Sequence, residues 1–187
     1  MNWQTHLTHF RALLERLEVT DAAGRPIELD AAFEQLARCS RELRDRGNTI
    51  YCIGNGASAS MASHFAADMA KNGRLHTEVF TDLALLSAVS NDMGFEHVYS
   101  EPLRRRARPG DLLLAISSSG ASPNILRRVD VARNAGLTVV TLSAMKPDNP
   151  LRRTGGCNFY FPADEYGDAE SLHAVLLHYW IDLLLKN

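Results

Sequence analysis

The stretch TIYCIGNGAS, residues 49–58, decides the fold. A short apolar run passes directly into glycines and a serine, which is typical of a buried strand that turns into a helix. The same order is found in DLLLAISSSGAS, residues 111–122, where an apolar run leads into four serines and a glycine. Two strand–turn–helix units of this kind predict a parallel sheet with helices on its faces.

The rest of the chain continues the alternation of strands and helices. Further strands are predicted at residues 77–80, 137–142 and 159–161, and helices at residues 60–72, 83–90, 123–134 and 169–185. Because these segments alternate along the chain, we expect an α/β fold. Its form is a three-layer α-β-α sandwich with a central, mainly five-stranded parallel sheet.

Two amphipathic helices precede this pattern. Apolar residues of the first recur at three- and four-residue steps, at Trp3, Leu7, Phe10, Leu14 and Leu17, which places them on one face. The second helix is predicted over residues 30–46. We expect residues 1–187 to form a single domain with residues 1–47 as an N-terminal helical extension. Since a lone helical hairpin has little to bury against, it is expected to pack on another subunit.

Composition limits the classes of protein to consider. The 187 residues are 45% hydrophobic and 22% charged, with a net charge of −2, as in an ordinary globular domain. This charge predicts neither nucleic acid nor a membrane as partner, and no apolar run approaches the ~20 residues of a membrane helix. Three scattered cysteines and no targeting segment favour a reducing, cytoplasmic location.

Both serine- and glycine-containing loops leave a strand at its carboxyl end, where parallel sheets bind ligands. Glycines let the backbone approach an anion closely, and hydroxyls and free helix N–H groups are donors. The loops match neither GxxxxGK[ST] nor GxGxxG, which argues against a nucleoside triphosphate or a dinucleotide. One such loop is equally explained as a helix cap and turn, but two in one chain favour an anion site.

Four segments carry a resemblance to a known family: Gly54–Ser58, His64–Ala66, Asn91–Phe95 and Gly110–Gly120. They resemble the motifs of the phosphoheptose isomerases, a branch of the sugar isomerase (SIS) domain proteins. The resemblance covers the chain from about residue 30 to its end, and the two-helix start is also typical. It implies a homotetramer that converts sedoheptulose 7-phosphate to a heptose 7-phosphate.

The resemblance also implies a set of substrate contacts in the two loops and beyond them. The phosphate would be held by serine side chains and neighbouring loop residues, and the sugar hydroxyls by an amide and a carboxylate. The expected residues are Ser58, Ser117, Ser119 and Ser122 with Gly56 and Ser118 for the phosphate, and Asn55 and Asp92 for the sugar.

Four titratable residues lie on two predicted helices. His64 and Asp68 are four residues apart and share a helix face, and Glu170 and His178 are about 80° apart on the last helix. In the metal-containing members of the family that this chain resembles, glutamate stands at the position of Asp68 and glutamine at the position of Glu170. The two histidines and two carboxylates remain suitable zinc ligands. Without the resemblance, His64 and Asp68 are better explained as a surface pair on a helix, and Glu170 has a second explanation as an acid complementing the helix dipole.

The resulting hypothesis is an aldose–ketose isomerase that acts through an enediolate. Asp68 is the candidate base, His178 the partner acid or base, and zinc on His64, Asp68, Glu170 and His178 would polarise the carbonyl. Two alternatives stay open: a noncatalytic SIS protein that binds the replication initiator, and an isomerase of another phosphosugar. His173 is expected at the surface or an interface and not as a ligand.

Overall fold

The computed structural model describes residues 2–186, which contain seven α-helices and six strands. The helices are α1 (Trp3–Leu14), α2 (Leu29–Arg46), α3 (Ala57–Lys71), α4 (Leu83–Met93), α5 (Ser100–Arg106), α6 (Pro123–Asn134) and α7 (Tyr166–Lys186). The strands are β1 (Glu18–Thr20), β2 (Thr49–Ile53), β3 (His76–Val79), β4 (Leu112–Ser117), β5 (Thr138–Ala144) and β6 (Cys157–Phe161). None of the helices in this part of the chain has both the length and the apolar character of a membrane span.

The strands form one sheet in the order β1-β6-β5-β4-β2-β3. The five strands β2 to β6 are parallel, which confirms the predicted five-stranded parallel sheet. The sequence analysis missed β1, which pairs antiparallel with β6 and adds a sixth, edge strand. It also missed α5, a helix of only seven residues.

Helices cover both faces of the sheet, so the predicted three-layer sandwich is confirmed. On one face, α2, α3 and α7 pack on the sheet through apolar side chains such as Leu36, Phe65 and Trp180. On the other face, α4, α5 and α6 do so through residues such as Leu103 and Val129. The central strand β4 is buried along its whole length, as expected of a strand with helices on both sides.

The sheet order brings the two serine- and glycine-containing loops together. Strands β2 and β4 are neighbours: Ile53, the last residue of β2, lies opposite Ala115, and β4 continues for two more residues to Ser117. The loops that leave them therefore start side by side at the same edge of the sheet. Gly54 is required in the first loop, because a Cβ there would lie 2.5 Å from the backbone of Ser58.

Candidate functional site

A cavity of about 150 Å³ lies where the two loops meet at the carboxyl ends of β2 and β4. It is lined by Asn55, Ser58, Ser117, Ser118, Ser119, Ser122, Tyr166 and Glu170. Six of these eight residues belong to the substrate contacts that the sequence analysis expected. We call this space the serine cavity.

Hydroxyl groups make the serine cavity rich in hydrogen-bond donors. The Oγ atoms of Ser117 and Ser122 lie 3.4 Å apart, and Ser119 Oγ accepts a long hydrogen bond of 3.4 Å from the amide of Ala121. Ser118 Oγ is buried and has no hydrogen-bond partner among the described residues. Ser118 thus keeps an unused donor close to the cavity, although buried polar groups without partners are costly.

Two helices begin at the serine cavity, and their first turns are open to a ligand. The N-terminal residues of α3 and α6, Gly56 and Ser122, provide no side-chain cap. By contrast, α1, α2 and α4 are capped by side chains of Asn2, Glu28 and Asp82. Uncapped helix N-termini that converge on one cavity present N–H groups and a partial positive charge to an anion.

A second cluster contains three of the four predicted metal ligands. Ligand atoms of His64, Asp68 and His178 all lie within 4.8 Å of one another, and we call these residues the His–Asp–His group. His64 Nε2 is 3.3 Å from Asp68 Oδ2, and the imidazole rings of His64 and His178 are 5.3 Å apart between centroids. Two imidazoles and a carboxylate with an open side are a donor set that suits catalytic zinc.

Glu170, the fourth predicted ligand, lies apart from the His–Asp–His group. It is half-buried on the first turns of α7 and lines the serine cavity. It is the only carboxylate among the eight residues that line this cavity. Glu170 thus lies beside the serines and is not part of the His–Asp–His group.

Two other expected substrate residues do not line the serine cavity in the single chain. Asp92 is exposed in the last turn of α4, where its carboxylate accepts a 2.8 Å hydrogen bond from Asn91. Gly56 is exposed at the start of α3 with φ of 56°, a conformation that favours glycine. Gly56 thus forms the backbone turn at which α3 begins.

The expectation for His173 was wrong. Its side chain is fully buried on α7, with its ring 6.0 Å from that of Phe161. Burial lowers the pKa of His173 to about 4, and the backbone of Ser143 offsets this only in part. Because the imidazole is neutral and enclosed in the core at neutral pH, it belongs to the packing of α7.

The sequence analysis missed one cavity residue and two supporting ones. Tyr166 lies at the start of α7 and lines the serine cavity. Asn149 is buried behind the second loop and donates to the carbonyl of Ala144 and to Ser143 Oγ. Asn124 is hydrogen-bonded to Asn55. No local pattern marks these residues, because each is joined to the site only by the fold.

Comparison with known proteins gives a consistent result. Residues 7–144 match the model of the SIS domain family. A phosphoheptose isomerase of Trichlorobacter lovleyi is 30% identical over 97% of this chain and 89% of its own length. One from Serratia proteamaculans is 32% identical, covering 91% of this chain and 92% of that protein.

Solved structures show the same likeness. The phosphoheptose isomerase of Neisseria gonorrhoeae superposes with a TM-score of 0.81 at 28% identity, over 97% of this chain and 96% of that one. The structure of a phosphoheptose isomerase from Francisella tularensis gives the same TM-score at 22% identity, over the full length of both chains. At that lower identity the second likeness concerns the fold alone.

Proposed function

The chain belongs to the SIS domain family and, within it, to the phosphoheptose isomerases, and on that premise we propose that it interconverts sedoheptulose 7-phosphate and a heptose 7-phosphate. The observation that carries the proposal is the convergence of two serine-containing loops and two uncapped helix N-termini on one cavity. Such a cavity suits the phosphate end of a sugar phosphate.

The spacing along two helices supports a substrate of this length. Ser58 and His64 are six residues apart on α3, and Glu170 and His178 are eight apart on α7, which correspond to about 9 and 12 Å along the helix axes. An extended seven-carbon chain with its phosphate also spans about 10 Å, at ~1.3 Å of advance per carbon–carbon bond. A phosphate in the serine cavity would thus leave the C1–C2 end near the His–Asp–His group.

The reaction moves one proton between C1 and C2 and a second one between the oxygens on these two carbons, so that the composition of the sugar is unchanged. We assign the transfer at carbon to Asp68 and the transfer at the carbonyl oxygen to His178, in each case while that side chain is not ligating a metal. Asp68 has two carboxylate oxygens, so one can interact with His64 while the other accepts the proton. Glu170 is positioned to accept hydrogen bonds from sugar hydroxyls beside the serines.

The His–Asp–His group fits a divalent cation, and we propose zinc as the cofactor. Two nitrogen donors and one oxygen donor leave a fourth position for substrate, as in catalytic zinc sites. A bound zinc would polarise the substrate carbonyl and stabilise the enediolate oxygen. We also propose a cytoplasmic homotetramer, since the family resemblance implies that assembly.

The test is turnover of sedoheptulose 7-phosphate by the zinc-loaded protein, followed by NMR in deuterated water. We expect product, together with deuterium at the carbon that exchanges its proton. Asp68→Asn should lower kcat by 10²–10⁴-fold, the range for loss of an acid–base group. Ser58→Ala and Ser119→Ala should each weaken binding by roughly 10-fold or more, because each removes a hydrogen bond to a charged group.

Two results would contradict the proposal. Binding of the sugar phosphate without turnover or deuterium exchange would favour the noncatalytic alternative. Normal kcat in Asp68→Asn would remove the proton-transfer role from the His–Asp–His group, while unchanged affinity in both serine variants would remove the phosphate from the serine cavity.

A further inference from the structure

Asn124 is a buried amide that joins the two loops of the serine cavity from behind. It is the second residue of α6 and only 2% exposed. Its partner, Asn55, lies in the first loop, 69 residues earlier in the chain. Asn124 itself does not line the cavity, so a role in the site has to act through Asn55.

The two amides form a reciprocal pair. Asn55 Nδ2 donates to Asn124 Oδ1 at 2.9 Å, and Asn124 Nδ2 donates to Asn55 Oδ1 at 2.8 Å. Each carboxamide has two N–H donors and two acceptor lone pairs. Asn55 therefore keeps one N–H and one lone pair for a ligand. Its two hydrogen bonds with Asn124 fix the side on which each of these groups lies.

The pair also couples the first loop to the second. The backbone carbonyl of Asn55 accepts a 3.0 Å hydrogen bond from the amide of Ser58, so a shift of Asn55 is transmitted to that serine. Asn124 follows Ser122 by two residues, at the start of the helix whose N-terminus faces the cavity. One hydrogen-bonded ring thus links the serine of the first loop with the serines of the second.

We propose that Asn124 is a positioning residue, which orients the Asn55 carboxamide towards the substrate and holds both loops in one binding frame. The nature of the ligand, a sugar phosphate, rests on the proposed function. The frame itself does not, because it should equally hold inorganic phosphate or a sugar phosphate that is not turned over.

Three forms of the protein test this proposal: the wild type, Asn124→Leu and Asn124→Asp. Leucine has similar size and can make neither hydrogen bond. Aspartate at pH 8 accepts from Asn55 Nδ2 but cannot donate to Asn55 Oδ1. Once protonated, its carboxyl group donates and accepts at once and restores the reciprocal ring.

The measurement is calorimetric affinity for sedoheptulose 7-phosphate and, separately, for inorganic phosphate, at pH 8 and at pH 5. Each variant is compared with the wild type at the same pH, so that the ionisation of the ligand phosphate near pH 6 affects both affinities equally. We expect Asn124→Leu to bind about tenfold more weakly at both pH values, from the loss of two hydrogen bonds. Asn124→Asp should be weak at pH 8 and recover towards wild type at pH 5.

The decisive comparison is between the two variants at pH 5, once NMR titration of Asn124→Asp shows that the introduced carboxyl is protonated there; at a position only 2% exposed, burial raises its pKa above the ordinary value of ~3.9. Stronger binding by Asn124→Asp than by Asn124→Leu would show that the hydrogen bonds restore affinity, since neither variant then carries a charge at this position. That result supports the proposal. Equal affinity of the two variants, or wild-type affinity in Asn124→Leu, would overturn it. If either variant fails to fold, protection of the Asn55 side-chain amide from hydrogen exchange in the wild type decides, and rapid exchange overturns the proposal.

The outcome is separable from that of the proposed function. A wild type that binds but does not turn over sugar phosphate, with the expected affinities in the variants, would reject the isomerase and keep the role of Asn124. A wild type that turns over substrate, with no effect in either variant, would do the reverse.

Discussion

Two carboxylates that depart from the family pattern lie in different surroundings, although their residues were grouped as ligands from the sequence. Asp68 contacts His64 and belongs to the His–Asp–His group. Glu170 lines the serine cavity. The wheel angle of about 80° between Glu170 and His178 is compatible with one site, but their eight-residue separation along α7 is about 12 Å. That length explains why Glu170 lies in the serine cavity while His178 lies in the His–Asp–His group.

Metal content distinguishes a three-ligand site from the four-ligand site that the sequence suggested. We expect one zinc per wild-type chain, and Glu170→Gln should leave that stoichiometry unchanged. His178→Ala should weaken zinc binding by more than ~100-fold, beyond the 10–100-fold typical of losing an outer-shell partner. Elemental analysis after dialysis, with the shift of Tm on adding zinc, measures both. Equal zinc loss in Glu170→Gln would reinstate Glu170 as a ligand.

At the residue scale, the sequence was informative where function depends on short segments. Ser58 and the serines of residues 117–122 were identified because loop composition after a strand is a local signal. Asn124 and Tyr166 were not identified, since their link to the site is a contact across the fold. His173 was placed wrongly because the sequence of a helix does not show whether a histidine lies at the surface or is enclosed in the core.

At the element scale, α6 buries a charge in its apolar face. Arg128 is fully buried, and its guanidinium carbon lies 4.5 Å from the centroid of the Phe80 ring. None of its guanidinium nitrogens has a hydrogen-bond partner within residues 2–186. A contact with an aromatic face offsets only part of the cost of taking a cation out of water. We therefore expect this guanidinium to reduce the stability of the packing around α6.

Replacing this charge should stabilise the protein. Arg128→Met keeps most of the side-chain volume, and we expect the free energy of unfolding to rise by about 1–3 kcal/mol. Arg127→Met is the matched control, because Arg127 is exposed, and it should change stability by no more than about 0.5 kcal/mol. Urea unfolding at one protein concentration measures both. A loss of stability in Arg128→Met would show that the buried guanidinium has a favourable partner, such as ordered water.

Strand β1, which the sequence pattern did not predict, shows where periodicity stops being informative. Strand β1 has only three residues, and its partner strand β6 begins 137 residues later, at Cys157. Leu17, just before it, continues the spacing of the first helix, which ends at Leu14 in the structure. A strand this short is specified by the edge to which it pairs. By contrast, β2 and β4 were predicted because each is a self-contained apolar run.

At the scale of the whole molecule, the first helix leaves apolar surface uncovered. Only Leu13 of α1 is buried, while Trp3 and Leu7 are 72% and 42% exposed. Both belong to the apolar face that the sequence predicted. Val175 and Tyr179 on α7 are also exposed. Large apolar side chains that the single chain leaves in water are typical of surfaces buried between subunits.

We therefore expect a homotetramer, with a mass in light scattering four times that of the 20.7 kDa chain. The double variant Trp3→Glu with Leu7→Glu places two charges on the apolar face of α1 and should shift the protein to smaller species at micromolar concentration. Thr8→Glu adds a charge to an exposed, polar position of the same helix and should leave the mass unchanged.

A wild type that is monomeric at this concentration would contradict the assembly. If the double variant dissociates but still binds phosphate, the serine cavity is complete within one chain. Loss of binding with a folded subunit would instead mean that the cavity depends on its neighbour.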